Sequence, residues 1–232
     1  TTSSGVAAVY GQLDGQLIGK EALAATTAYI ANAVACPVSV DAESGYGYNI
    51  AEVVQTVREI IEAGAVGINI EDSSKGTHEA LVDVAYQVEL IQALRQLGEA
   101  LDIPFVINAR VDVFVLAVGE PAGRSEQAIK RGNAYLQAGA DSIYPIGPSG
   151  VEIVTKLVQG IQGPVNILAG PTSPSIPELA SLGVARVSFG SALMRAALGQ
   201  LSLVAQELRA QGTYQHMAAG TSALSSLDSL WQ

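Results

Sequence analysis

Asp41 and Glu43 stand two residues apart at the end of an apolar run, in Val40-Asp41-Ala42-Glu43-Ser44-Gly45-Tyr46-Gly47. Alternate residues of a strand point to the same face, so this spacing places both carboxylates together. A second run ends in Ile70-Glu71-Asp72, and a third, Asn108-Ala109-Arg110-Val111-Asp112, puts Asn108, Arg110 and Asp112 on one face. Carboxylates crowded at one level repel each other and take up protons unless a cation compensates. Hard oxygen donors of this kind suit Mg²⁺ or Mn²⁺, held by one or two carboxylates with waters completing the shell. Arg110 suits a substrate carboxylate, which its planar fork can grip through two hydrogen bonds. Asp112 on the same face is an in-strand alternative partner, so a structural ion pair is the competing reading; the expectation is that Arg110 serves the substrate.

The elements that position these groups alternate. Strands are predicted at Pro37–Glu43, Gly67–Glu71, Pro104–Arg110, Asp141–Pro145, Pro164–Ala169 and Arg186–Gly190. Between them, apolar residues recur at three- and four-residue spacing, as in Ile50–Ala63, Glu79–Ala100 and Ser125–Ala138, and predict helices. Asn49, Ser125 and Ser175 are candidate N-caps. Regular β-then-α alternation implies a parallel sheet covered on both faces. Three segments share one pattern: Glu62-Ala-Gly-Ala-Val-Gly-Ile, Gln137-Ala-Gly-Ala-Asp-Ser-Ile and Ser181-Leu-Gly-Val-Ala-Arg-Val. Each ends a helix on glycine and enters a strand, the short αβ loop that repeats on the bottom of a barrel. A doubly wound open sheet stays open as an alternative, but no G-x-G-x-x-G follows a strand, which leaves the dinucleotide reading little support. The reading is a (β/α)8 TIM barrel, α/β class, whose active-site rim is the set of strand C-terminal ends. The six full strands, beside a possible stub at Thr1–Ser4, are two short of eight, so the first strand and helix are expected to precede Thr1.

Composition narrows the function. The 232 residues suit one domain, 1–232, with 191–232 as a C-terminal helical segment, and 49% of them are apolar. The formal net charge of −10, without a basic stripe, argues against nucleic acid. The basic stretch Arg124–Arg131 reads as a solvated helix face. No apolar stretch is long enough for a membrane span. The single cysteine, Cys36, excludes an internal disulfide and reads as a small buried residue; a cytoplasmic setting is the expectation.

Several segments resemble one family. DAESGYGYN (Asp41–Asn49) is similar to the D-x-D-x-G-[YF]-G metal-binding signature of the phosphoenolpyruvate mutase and isocitrate lyase superfamily. GINIED (Gly67–Asp72) resembles its glutamate strand, INARVD (Ile107–Asp112) its substrate-arginine strand, and TTSSGVAAVYGQLDG (Thr1–Gly15) the loop after strand two. VNILAGP and RVSFGSAL resemble the last two strands. The resemblance implies that Asp41 is the direct metal ligand, with Glu43, Glu71 and Asp14 completing the metal shell. It implies that Ser3, Ser4 and Gly5 hold the substrate carboxylate opposite Arg110, and that Tyr46 is the aromatic of the G-[YF]-G turn. It also implies Mg²⁺ chemistry on a small 2-oxo acid through a pyruvate-type enolate, and homo-oligomers, dimer or tetramer, that exchange their last helices. The apolar tail residues Leu224, Leu227, Leu230 and Trp231 suit such an exchange.

The departures from the family are informative. Members that cleave isocitrate or methylisocitrate carry K-[KR]-C-G-H in a loop after the glutamate strand, where this chain has Ser73-Ser-Lys-Gly-Thr-His-Glu79 without cysteine. The long gating segment of the phosphonomutase is also not evident. Decarboxylation or C–C hydrolysis of an oxaloacetate-like acid is therefore the first expectation. A phosphonopyruvate mutase-type or methylisocitrate lyase-like enzyme, and a non-catalytic 2-oxo acid binder, stay open beside it. His78 and Lys75 are candidate loop acid–base groups, and Asn166 is placed facing the pocket. Tyr144 reads as core, His216 as surface or interface, and Ser188 and Gly190 lie where barrels often bind phosphate.

Overall fold

A computed structural model describes residues 1–74 and 80–222. It divides into two units, Thr1–Gly190 and Ser191–Gln232. Among its described residues the first unit holds six parallel strands: β1 (Val38–Asp41), β2 (Ala65–Glu71), β3 (Val106–Val111), β4 (Ser142–Pro145), β5 (Asn166–Leu168) and β6 (Arg186–Ser188). They neighbour one another in chain order, as β1-β2-β3-β4 and β5-β6. A parallel bridge between Ile143 and Val165 joins the two sets. Among the same residues, seven α-helices alternate with them: α1 (Ser3–Val9), α2 (Gly19–Ala33), α3 (Ile50–Glu62), α4 (Val84–Ala100), α5 (Arg124–Gln137), α6 (Val151–Gly160) and α7 (Ile176–Ser181). This is the predicted parallel α/β architecture. The second unit contains α8 (Ala192–Gln211) and α9 (Gln215–Ser222), where Glu207 takes hydrogen bonds from the Gln215 and His216 N–H groups. No described helix is long and apolar enough to cross a membrane.

Local sequence explains each element. On α3 the buried side chains Val53, Thr56, Val57, Ile60 and Ile61 follow helical spacing and face the sheet. Each fully buried Val or Ile of this kind contributes roughly 1.5–3 kcal/mol of hydrophobic stabilisation. Asn49 caps α3 by accepting from Glu52 N–H at 3.0 Å, and Ser175 forms a capping box with Glu178 on α7. The repeated αβ loops turn on Gly64, Gly139 and Gly183, all at positive φ, as the recurring pattern predicts.

Four local expectations are corrected. Thr1–Ser4 is not a strand stub, because α1 begins at Ser3; only Thr1 runs beside β1, with its nitrogen donating to Ser39 O. Ser125 is not an N-cap, since the 3₁₀ turn Pro121–Gly123 leads straight into α5 and leaves Ser125 buried inside the helix. The helix after β2 starts at Val84, capped by Asp83; Leu81 pairs with Ser73, and Val82 N–H donates to Asp72 O. Cys36 is exposed, because it precedes β1 and lies outside the core.

The two sheet faces have opposite character. A side chain added at Gly132 of α5 would meet Ile143 Cγ2 at 2.9 Å, so Ile143 faces the helices. Ser142 and Tyr144 therefore face the interior. There a polar ladder crosses the strands: Asn108 donates to Asn69 Oδ1 at 2.8 Å and accepts from Ser142 at 2.5 Å. Beyond β1 the chain turns at Gly45, whose φ is +102° and whose absent side chain leaves room for Val53. Gly45→Ala is expected to lower unfolding free energy by about 2–4 kcal/mol through backbone strain and overpacking. A urea midpoint unchanged within error would show that the turn does not depend on glycine.

Candidate functional site

The C-terminal ends of β1, β2 and β3 carry the acids. Asp41 is buried, and its Oδ2 accepts from both the hydroxyl and the N–H of Ser3, at 3.0 and 3.2 Å. Its Oδ1 receives only a long 3.4 Å contact from Glu43 N–H. Glu43 lies beyond the end of β1 with φ +49°, so a left-handed turn, not strand alternation, brings it to the site. Its Oε1 accepts from the Tyr46 hydroxyl at 2.8 Å and from Gln16 N–H at 2.9 Å. Burial pushes the Glu43 carboxyl above the ordinary glutamate range; those two hydrogen bonds pull it down, while Asp14 and Glu71 push it up again. The Tyr46 phenol is also raised, by burial and by its bond to Glu43, and stays a proton donor.

Arg110 sits among acids. Its Nε and Nη2 grip Asp112 at 2.7 and 3.0 Å, and Nη1 approaches Glu71 Oε2 at 2.8 Å. The in-strand ion pair thus forms, contrary to the expectation that Arg110 is kept for a substrate alone. Residues of like parity on β3, with Glu71 in register opposite Arg110, make these contacts unavoidable. Three of the five N–H donors are engaged this way, and two remain for a ligand. Burial alone would depress the guanidinium, but Glu71 and Asp112 hold it firmly charged. Burial pushes the Asp112 carboxyl up, against the pull of Arg110. Glu71 also accepts from the Ser73 hydroxyl at 2.5 Å.

These groups enclose a cavity of about 220 Å³, lined among others by Ser3, Asp14, Glu43, Glu71, Arg110 and Asp112. A larger hollow of about 810 Å³ shares only Glu71 and Ser73 with it and lies toward Tyr48, Gln87 and Arg131. Opposed charges meet in the smaller space, where Arg110 faces Glu71 and Asp112. Asp14 is exposed at its edge. Ser4 contacts the Thr2 hydroxyl, and the Gly5 N–H is engaged by Thr2 O, which closes the first turn of α1. That leaves the Ser3–Gly5 segment organising Asp41 and its own helix. Asn166 is fully buried and exchanges hydrogen bonds with Ser188 across β5 and β6. Tyr144 is buried, as the core reading expects, while Gly190 and His216 are exposed. His78 and Lys75 lie outside the described residues.

A divalent cation can be tested against this donor set. Among the described residues, no three His, Cys, Asp or Glu side chains converge into a preformed cage. Mg²⁺ needs none, because it keeps several waters and takes one or two carboxylates. Asp41 Oδ1 is weakly engaged and oriented by the Ser3 bonds to Oδ2, and Glu43 has its hydrogen bonds on Oε1 alone. Glu71 has both oxygens in contact with Ser73 and Arg110, which suits a role through water. Asp14, Glu43, Glu71 and Asp112 line the cavity with Arg110, and Asp41 is bonded to the lining residue Ser3; this excess of negative oxygen fits a hard cation.

Sequence reasoning misses other contributors. Gln16 holds Glu43 through its backbone and Ser44 through its side chain, and only the fold brings it there. Ser73 carries a usable signal, since it shares strand parity with Glu71. Asp72 is fully buried and turned away from the cavity acids; it accepts from Arg131 at 3.0 Å and Tyr135 at 2.8 Å. Arg131 is therefore not on a solvated face, because its charge has a buried partner 59 residues away. The four-residue spacing of Arg131 and Tyr135 on one side of α5 is the available signal.

The phosphoenolpyruvate phosphomutase family profile matches residues 1–209. An uncharacterised protein of Mycobacterium tuberculosis is 36% identical over 191 residues, 82% of this chain and 68% of its own length. A 2-methylisocitrate lyase of Aeropyrum pernix is 31% identical over 222 residues, 89% of this chain and 68% of its own length. An oxaloacetate decarboxylase of Rhodopseudomonas palustris is 35% identical over 147 residues, 60% of this chain and 47% of its own length. The structure of a 2,3-dimethylmalate lyase superposes with a TM-score of 0.80 at 26% identity, over 93% of this chain and 75% of its own. With acids and arginine on successive parallel strand ends, and a family match that spans most of its length, the chain belongs to the phosphoenolpyruvate mutase/isocitrate lyase superfamily.

Proposed function

We propose that this protein is a Mg²⁺-dependent enzyme that cleaves a C–C bond in a small 2-oxo acid of the oxaloacetate kind. The observation that carries the reading is the opposition of Glu43 and Glu71 to a partly available Arg110 in the lining of a cavity of about 220 Å³, with Asp41 bonded to the lining residue Ser3. That volume suits an ion with a short acid. Two relatives named for C–C cleavage, an oxaloacetate decarboxylase and a 2,3-dimethylmalate lyase, support the class.

Asp41 and Glu43 would hold the cation, with Glu71 and Asp14 ordering its waters. When bound, the ion supplies a Lewis acid for the 2-oxo acid's oxygens. The two remaining Arg110 N–H groups hold the substrate carboxylate and favour the negative charge that develops as the C–C bond breaks. Tyr46, which stays protonated, keeps Glu43 aimed at the cavity. Ser3 does the same for Asp41. His78 is the sequence-based candidate for proton transfer.

The protein is also proposed to act as a dimer or tetramer. On α8, Leu193, Leu198, Leu201, Leu203 and Leu208 are exposed, an apolar array uncommon on a monomer. Static light scattering at micromolar concentration should give at least twice the chain mass, and a strict monomer refutes this.

Two further outcomes test the chemistry. Oxaloacetate should be consumed only with Mg²⁺ or Mn²⁺ present. Arg110→Lys should retain the fold and lose about 10²-fold in kcat/KM, because a point charge cannot replace the fork. Normal turnover per folded molecule with a lower melting temperature would make Arg110 scaffolding; phosphonopyruvate conversion seen by ³¹P would indicate a mutase instead.

The cation reading has a pH signature. The folded pKa of Glu43 lies above its ordinary value, so the folded state binds more protons than the unfolded one in between. Its contribution to stability is full at low pH and is lost as pH rises through the folded pKa. Without divalent cation, this contribution should therefore fall as pH rises above about 4.5, the ordinary glutamate value. Mg²⁺ should restore stability at pH 8, and Asp41→Ala should lose that response. An Asp41→Ala protein with unchanged Mg²⁺ affinity contradicts the ligand assignment.

A further inference from the structure

We infer that Asp72, Arg131 and Tyr135 form a buried clamp that aims the substrate arginine from behind. This rests on the reading of Arg110 as the carboxylate-binding group. Asp72 follows Glu71 directly, and it uses its two oxygens for different tasks. Oδ1 accepts from Asp112 N–H at 2.8 Å. Oδ2 accepts from Arg131 Nη1 at 3.0 Å and from the Tyr135 hydroxyl at 2.8 Å. Arg131 Nη1 also donates to Tyr135 Oη at 2.9 Å, and its Nη2 donates to Val82 O at 3.1 Å. Arg131 and Tyr135 are one helical turn apart on α5, so a single helix face holds the acid from outside the sheet.

The reach of the clamp is what separates it from ordinary packing. Asp112 is the residue that grips Arg110 in a fork, and its backbone is the group Asp72 fixes. Asp72 N–H in turn donates to Arg110 O at 3.2 Å. On the other side, Asp72 O accepts from Val82 N–H, while Arg131 holds Val82 O. The same three side chains therefore tie the guanidinium to the point where the chain leaves the Ser73–Leu81 bridge and enters α4. Buried ion pairs are weak sources of stability, since desolvation offsets their attraction. What this one supplies is geometry. It sets Asp112, hence the direction of the Arg110 fork, relative to the β2–α4 connection. Arg131 and Tyr135 are positioning residues that do not touch the cavity acids.

Tyr135→Phe preserves volume and removes one bond to Asp72; Arg131→Lys preserves charge and loses the fork. Both are to be compared with wild type in Mg²⁺ with oxalate as the binding probe and oxaloacetate as substrate. Expected for Tyr135→Phe are a melting temperature within a few degrees of wild type and faster amide exchange in peptides covering residues 106–116 and 80–84. Oxalate affinity should weaken about five- to tenfold, the equivalent of one hydrogen bond, with KM for oxaloacetate rising in parallel. Arg131→Lys should shift the same readouts in the same direction. A lower melting temperature with unchanged oxalate affinity and unchanged exchange at 106–116 would overturn the inference and leave plain core packing. If wild type binds no oxalate, the carboxylate role of Arg110 fails. The exchange comparison then decides the clamp alone: faster exchange in Tyr135→Phe supports it, and unchanged exchange refutes it.

Discussion

Five carboxylates gathered at one end of a parallel sheet repel each other, and most of the local structure answers that repulsion. Each of the four inner acids has dedicated donors: Ser3 on Asp41, Tyr46 and Gln16 on Glu43, Ser73 and Arg110 on Glu71, and the Arg110 fork on Asp112. Neutral donors orient a carboxylate without cancelling its charge. The remaining negative potential is therefore directed into the cavity, where a hard cation and an acid substrate can be sorted by position. A site balanced internally by one arginine per acid would be more stable and would bind nothing.

The scaffold keeps this arrangement rigid from below. The Asn69–Asn108–Ser142 ladder spans β2, β3 and β4 one layer beneath Glu71 and Arg110. The Asn108 amide uses its nitrogen on Asn69 and its oxygen on Ser142, so the strands cannot slip by a residue without leaving buried polar groups unpaired. A one-residue slip would also turn Arg110 toward the helices. Register, interior polarity and the aim of the guanidinium are thus one constraint.

Strand parity makes Asp41, Glu71 and Arg110 legible from the sequence alone, because a period of two follows from covalent geometry. The capping residues Asn49 and Ser175 and the glycine αβ loops are legible for a similar reason: their partners lie within a few residues. For Glu43 strand parity gives the right place for an incomplete reason, since its route is a left-handed turn that parity does not describe. Ser3, read as a ligand-binding group, lines the cavity and also donates to Asp41, and the Gly5 N–H closes the first turn of α1; a short helix there carries no periodic signal. Arg131 reads wrongly as solvated, because a charged residue on an amphipathic helix looks so until its partner is known. That partner is Asp72, 59 residues earlier, and no local pattern encodes such a distance.

Glu71 and Asp72 show how adjacent, chemically similar residues acquire separate roles. Parity sends Glu71 to the cavity and Asp72 to the helix side, where it is wholly buried. Burial pushes the Asp72 carboxyl up, while the Asp112 N–H, the Tyr135 hydroxyl and the Arg131 charge draw it back down. An apolar residue at this position would avoid that desolvation, and comparable replacements elsewhere are often neutral or stabilising. Here it would leave the Asp112 N–H without its acceptor and the Arg131 guanidinium buried without its counter-charge, each a penalty of about 1–3 kcal/mol or more. The acid at position 72 thus supplies, from the neighbouring strand's end, the acceptor for a backbone amide two residues beyond Arg110.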